Sequence, residues 1–311
     1  MLNFSFTLTT NLHREIEQAE ELRQKTLLTL VSPKDELRLR WEATVNRIYF
    51  ALQMRDIHVE KAQIIELLSP QGRKNLKPEE EEIIHYKQAY DYLYQNFYAS
   101  NDPVTPQVVK TLHKIFMKEN LGISEEDLAS ILDFIQVNPE HPIIQAGLAT
   151  ILFYNIATYS DKYVRIAQLL PMIFLYKHGY DFRGTLVIEE LLVQDSLTYL
   201  ELVKKSKAEG VFSAFLEYYA TICTQAAQKA TEKIAERLFE KEVAPSFYEI
   251  TPRQQQILAY LDAPGSKITN REVQKHFGVS QITSSRDLAR LTALGLIYAI
   301  GKGRSVYYTK S

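Results

Sequence analysis

The sequence predicts a mainly α-helical protein that ends in a small module of mixed helix and strand. Three observations carry that prediction. The 311 residues hold only 11 glycines and 11 prolines, too few for a loop-rich or disordered chain. From residue 10 to about 243, apolar residues recur at three- and four-residue spacing, the helical period. Beyond residue 249 the pattern breaks into short runs separated by glycine turns, the last of them strand-like.

The helices follow in order. "NLHREIEQAEELRQKTLLTLV" (11–31) and "DELRLRWEATVNRIYFALQMRD" (35–56) are amphipathic, and "SPKDE" between them supplies a turn and a cap. "KPEEEEIIHYKQAYDYLYQNFYAS" (77–100) loads its first turn with acids, as the helix dipole favours. Its tyrosine stripe reads as core and helix contact. "TPQVVKTLHKIFMKE" (105–119) comes next, then "SEEDLASILDFIQV" (124–137), where Ser124 and Asp127 have capping-box spacing. Pro142 is placed to open a further helix at its first position. A long helix over 214–241 leads to "EVAPSFYEI", and the composition shift puts a domain boundary near residues 244–249.

Hydrophobic residues make up 46% and charged residues 24% of the chain, as in ordinary globular proteins. The single cysteine, Cys223, excludes an intrachain disulfide and a multi-cysteine metal site, and suits a reducing compartment. Its context "YYATICTQAA" makes it a core residue. No apolar run reaches 18 residues and no secretory leader is visible, so the expectation is a soluble cytoplasmic protein away from the membrane. His58, His85, His113, His178 and His276 lack metal-ligand spacing, and Glu189-Glu190 read as a solvated first turn.

The net charge of −2 hides an asymmetry. Residues 251–311 hold nine Lys/Arg against three acids, a local +6, so the remaining residues carry −8. A basic module on an acidic body points to an anionic partner for that module. The module reads as helix, strand, helix, turn, helix and hairpin, the order of a winged helix-turn-helix. Thr251 and Ser280 stand as N-caps, Gly278 supplies the turn, and Gly295 closes the third helix. "FGVSQITSSRDLARL" resembles the helix-turn-helix of DeoR-type repressors. Val279, Ile282, Leu288 and Leu291 form the expected inward set. Gln281, Thr283, Ser284, Ser285, Arg286 and Arg290 are the candidate DNA contacts on the helix, with Lys302 and Arg304 in the wing turn. Gln can read adenine, Ser and Thr reach bases or phosphates, and the cations neutralise phosphates.

"HPIIQAGLATILFYNIATYSDKYVRIAQLLPMIFLYKHGYDF" (141–182) resembles the core of the Fic family, whose members transfer AMP from ATP to protein hydroxyls. His141-Pro142, Ile156, Asp161, Arg165, Leu169-Leu170 and Gly179-Tyr180 match the family scaffold, and "VIEELLVQDSLTYLE" resembles its following segment. The resemblance implies a Fic-like helical bundle followed by the winged module. Its three parts are an N-terminal helical region over 1–95, a core with its trailing helix over 96–243, and the small domain over 249–311.

The family's chemistry is the part that departs. Ala157 stands where the family has its catalytic His, and a methyl group accepts no proton from an attacking hydroxyl. Lys162-Tyr163-Val164 replace the Gly-Asn-Gly phosphate cradle, where small residues let backbone N–H groups approach phosphate. Gln168 replaces the second motif arginine. Asp161, at the magnesium-ligand position, and Arg165, at the first phosphate arginine, remain; their plainer roles are a helix N-cap and a surface charge. No strand-like run precedes residue 141 to build the family's target-binding flap. Tyr49 falls where an inhibitory Glu would pair with the missing arginine.

The resulting expectation is a catalytically inactive Fic-like protein that needs no cofactor and regulates by binding double-stranded DNA, as a homodimer and with a possible protein partner. The alternative is a residual adenylyltransferase that holds ATP and Mg²⁺ through Arg165 and Asp161. A third reading makes the winged module a protein adaptor.

Overall fold

The computed structural model describes residues 4–69, 75–137, 140–157, 161–237, 250–262, 266–301 and 306–310, without the side chains of Asp161, Lys162 and Arg237. The chain divides into two compact units: Met1–Ser32 with Glu42–Glu240, and Pro33–Trp41 with Lys241–Ser311. The expected linker at 244–249 lies outside the described residues. No helix among them is long and apolar enough to cross a membrane.

The large unit is helical. Its elements are α1 (Thr10–Leu28), α2 (Pro33–Gln53, whose first turns belong to the other unit), α3 (Lys61–Leu67), α4 (Pro78–Phe97), α5 (Pro106–Phe116) and α6 (Glu125–Val137). They continue with α7 (Pro142–Ile156), α8 (Asp161–Lys177), α9 (Glu189–Gln194), α10 (Ser196–Glu209) and α11 (Ser213–Arg237). Helix α7 is the centre: every residue from Ile143 to Tyr154 is buried. A helix apolar all round can only sit inside a bundle, and α6, α8, α10 and α11 pack around it. Gly147 permits the closest approach, since a Cβ there would stand 2.7 Å from Leu216 Cδ2 on α11. Helix α1 lies along α11, tied by the Thr26 and Thr231 hydroxyls at 2.9 Å.

Local chemistry sets the helix ends. Pro78, Pro106 and Pro142 each start a helix where a missing N–H costs nothing. Ser124 caps α6 through the Asp127 N–H at 3.0 Å, but the Asp127 carboxylate accepts from the Ser124 hydroxyl, so the shorter side chain completes only half a capping box. Cys223 is buried, and burial raises its thiol pKa far from reactivity. Tyr86 and Tyr90 of the α4 stripe are core residues as expected.

One charge assignment needs correction. Glu189 is buried at 2% exposure, with one carboxylate oxygen accepting from the Tyr90 hydroxyl at 2.7 Å. Burial pushes its pKa up, against the nearby Arg47 guanidinium. Arg47 in turn donates to the Leu186 carbonyl at 2.9 Å and to the Gly184 carbonyl, holding the turn in which Phe182 and Arg183 adopt φ of 51° and 58°. Helical period placed Glu189 at a helix start; only the tertiary fold turns that start inward.

The small unit contains α12 (Pro252–Tyr260), β1 (Lys267–Ile268), α13 (Asn270–Phe277), α14 (Gln281–Ala293), β2 (Tyr298–Ile300) and β3 (Tyr307–Thr309). Its antiparallel sheet runs β1-β3-β2, so the hairpin's second strand lies at the centre. Ile257, Leu261, Ile268, Val273, Leu288, Leu291 and Ile297 form its core. Thr251, Thr269 and Ser280 cap its three helices. Gly278 and Gly295 take φ of 62° and 69°, the left-handed turns that end α13 and α14.

Candidate functional site

The segment that resembles the Fic motif spans the joint between α7 and α8. Ala157 is the C-cap of α7 and is buried at 2% exposure. The Lys207 ammonium, from α10, donates to the Ala157 carbonyl at 3.0 Å and to the Tyr154 carbonyl at 2.9 Å. A cation at a helix C-terminus satisfies orphan carbonyls and complements the dipole. Residues 158–160 lie outside the described set. Helix α8 begins at Asp161, which places that residue at a helix start.

The position that the resemblance gives to a phosphate cradle is filled. The Tyr163 hydroxyl donates to the Leu121 carbonyl at 3.0 Å, and its ring meets Phe153 edge-on at 6.2 Å. Val164 is buried. The next residue, Arg165, is not the surface charge of its plain reading: it is only 5% exposed. Its Nε and Nη2 donate to the two Glu82 carboxylate oxygens at 3.1 and 2.6 Å, a bidentate pair. Arg55 donates to the same carboxylate at 2.6 Å, and the Arg165 guanidinium lies 5.5 Å from the centre of the Phe116 ring.

Gln168 completes the contact between α4 and α8. Its side-chain oxygen accepts from the Tyr86 hydroxyl at 2.6 Å, and its amide donates to the Ala51 carbonyl at 3.3 Å. Glu82 and Tyr86, four apart on α4, therefore meet Arg165 and Gln168, three apart on α8. These residues do not fit a triphosphate. The retained arginine already holds a carboxylate, and a tyrosine and a valine stand where the backbone would have to be bare. Sequence reasoning missed Glu82 because nothing local marks it within "KPEEEEIIHY"; four consecutive acids look alike until the fold selects one.

The two family landmarks outside the motif are joined to each other. His141 caps α7, its Nδ1 accepting from the Ile143 N–H at 3.3 Å. The neutral ring then carries its proton on Nε2, which donates to the Tyr180 hydroxyl at 2.6 Å. Tyr180 donates to Glu20 at 2.5 Å, and Arg23 grips both Glu20 oxygens at 2.8 Å. Burial lowers the His141 pKa to about 4. The Arg23 hydrogen bonds hold Glu20 at about 2. The chain from His141 to Arg23 clamps α1 to the start of α7 and to the turn after α8.

In the small unit, α14 presents a different face from the expected one. Leu288 and Leu291 are core and Val279 packs against it, as expected. Ile282 is 66% exposed and Ser284 fully buried, its hydroxyl donating to the Asn270 carbonyl at 3.0 Å. Both assignments reverse for one reason. Ser284, Leu288 and Leu291 fall at i, i+4 and i+7, one stripe that faces inward together with Asp287, and Ile282 lies about 200° from Ser284 at ~100° per residue. Exposed instead are Gln281, Ile282, Ser285, Arg286 and Ala289. Thr283 bonds to the Ser280 cap, Ser285 accepts from Asn270 at 2.8 Å, and burial lowers the pKa of half-buried Arg290. Lys302 and Arg304 lie outside the described residues.

All three acids of the module are engaged within it. Asp287 is buried and accepts from Arg253 at 2.6 Å and Gln254 at 2.9 Å. Glu272 caps α13 and Asp262 pairs with Lys310. Arg271, Lys275 and Arg286 are exposed.

No protein-family model matches the chain, and no curated protein matches it. Solved structures do. A Fic family protein from Desulfovibrio desulfuricans G20 is similar over 98% of this chain and 97% of its own, at a TM-score of 0.62 and 13% identity. Fic-1 (residues 134–508) from C. elegans matches over 73% of each chain, at 0.59 and 13%. A Fic domain containing signaling protein from Bacteroides thetaiotaomicron VPI-5482 matches over 75% of this chain and all of its own, at 0.56 and 16%. At such identities the likeness is one of fold: the chain has the helical fold of Fic proteins, carried here with a small three-stranded sheet at its C-terminal end.

Proposed function

We propose that this chain is a Fic-fold protein without adenylyl-transfer activity that acts as a regulator by binding duplex DNA, as a homodimer, through a C-terminal winged helix-turn-helix. The observation that carries the reading is the fate of Arg165. The one arginine kept from the Fic motif is spent on Glu82 and Phe116, beside an alanine in place of the general base and a tyrosine in the cradle. DNA binding draws support from the +6 balance of residues 251–311. It draws further support from α14, which leaves Gln281, Ser285 and Arg286 on one exposed face while its acid turns inward.

Two measurements on the full chain test the proposal. Labelled ATP with Mg²⁺ should mark neither the chain nor an added protein pool; labelling that disappears in Arg165→Ala would establish the residual-transferase alternative. Duplexes selected from a random pool should bind with strong salt dependence, and Arg286→Ala should make the log–log salt slope shallower by about one, the loss of one phosphate contact. Binding that ignores salt, or a pool that yields no duplex, would move the module to a protein-adaptor role.

A further inference from the structure

The outward face of α14 holds one residue that the module's own stability does not explain. Ile282, Ser285, Arg286 and Ala289 fall at i, i+3, i+4 and i+7, a single stripe, and all are exposed. Within it Ile282 is the only large apolar side chain, 66% exposed to water. It belongs neither to the core cluster nor to the residues packed against it. As a β-branched residue near a helix start it offers no helix-propensity gain either. Its neighbours on the stripe are short: Ser285 and Ala289 leave the helix surface shallow, so that Ile282 projects at the N-terminal end, flanked by Gln281. Arg286 sits one turn behind it with its charge exposed.

An isolated apolar knob ringed by a hydrogen-bonding amide, a hydroxyl and a guanidinium is a poor match for an apolar protein surface, which needs a contiguous patch. It suits a surface that is itself mostly polar and anionic with single apolar points. The major groove of DNA is such a surface, and its one apolar group is the C5-methyl of thymine. Resting on the DNA-binding reading above, we infer that Ile282 is a specificity residue that packs on a thymine methyl in each half-site. Gln281 and Ser285 contact the neighbouring base edges, and Arg286 holds the phosphate backbone. The chain thus discriminates thymine from the methyl-free pyrimidines at one position.

The test uses the full chain and the best duplex selected from a random pool. Each thymine in turn is replaced by deoxyuridine, which removes the methyl and leaves every hydrogen-bonding group in place. One position per half-site should weaken wild-type binding roughly four-fold, the value of one buried methyl-sized group. Ile282→Ala, an exposed substitution that leaves the core intact, should lower affinity for the thymine duplex and abolish the difference between thymine and uracil there. If no uracil substitution matters, or if Ile282→Ala retains the wild-type sensitivity, the inference is wrong while DNA binding stands. If Ile282→Ala instead lowers the oligomer mass in sedimentation and leaves the uracil effect untouched, Ile282 belongs to a contact between copies. If no duplex is selected at all, the DNA-binding reading fails and takes the inference with it.

Discussion

Glu82 is the residue on which the joint between α4 and α8 should depend most. Its carboxylate, 15% exposed, accepts from two guanidiniums whose side chains are 4% and 6% exposed, Arg55 and Arg165. Glu82→Ala would leave two buried like charges facing one another without their shared anion. Breaking a buried pair by removing one partner costs about 3–5 kcal/mol. Arg165→Met removes one of two cations instead and leaves a balanced Arg55–Glu82 pair, with the methionine stem packed on Phe116. That change should cost about 1 kcal/mol, the scale of a tolerated hydrophobic replacement. Urea denaturation followed by far-UV circular dichroism reads both, and the midpoints should fall in the order wild type, Arg165→Met, Glu82→Ala. An Arg165→Met protein less stable than Glu82→Ala would show that the arginine is held by other groups and that the carboxylate is incidental.

Two further outcomes follow from the same geometry. Ala157→His should restore no labelling from ATP, because Tyr163 and the Glu82-bound Arg165 still occupy the site; a labelled product in that single variant would refute the blocked-cradle argument. Stability should fall with acid below neutrality. His141 titrates at about 4 in the fold against 6.5 as its ordinary value, so the unfolded chain takes up the proton first and stability is lost as pH drops from 6.5 through 4. Glu20, held at about 2, adds its own loss only below 4.5. His141→Asn keeps an N-capping side chain and should flatten the pH 6.5–4.5 limb of the denaturation midpoint; an unchanged limb would assign that slope to other groups.

Helical period, glycine placement and capping residues are local properties, and they sufficed for most of the architecture. Pro142, Thr251, Ser280 and Gly278 stand where their stereochemistry requires, and Leu288 and Leu291 face the core because the period demanded it. The sequence by itself determined a helical body, a basic mixed module at its end, and an alanine at 157 with Lys162-Tyr163-Val164 after it. Those are matters of residue identity, and no fold can give Ala157 a proton acceptor. Only the tertiary structure decided which groups meet across long separations: that Arg165 is buried on Glu82, 83 residues away, and that Glu189 turns into the core. The physical reason is that a charge or a helical face has no intrinsic direction. Residue type sets what a side chain can bond, but its partner is set by the helix packed against it.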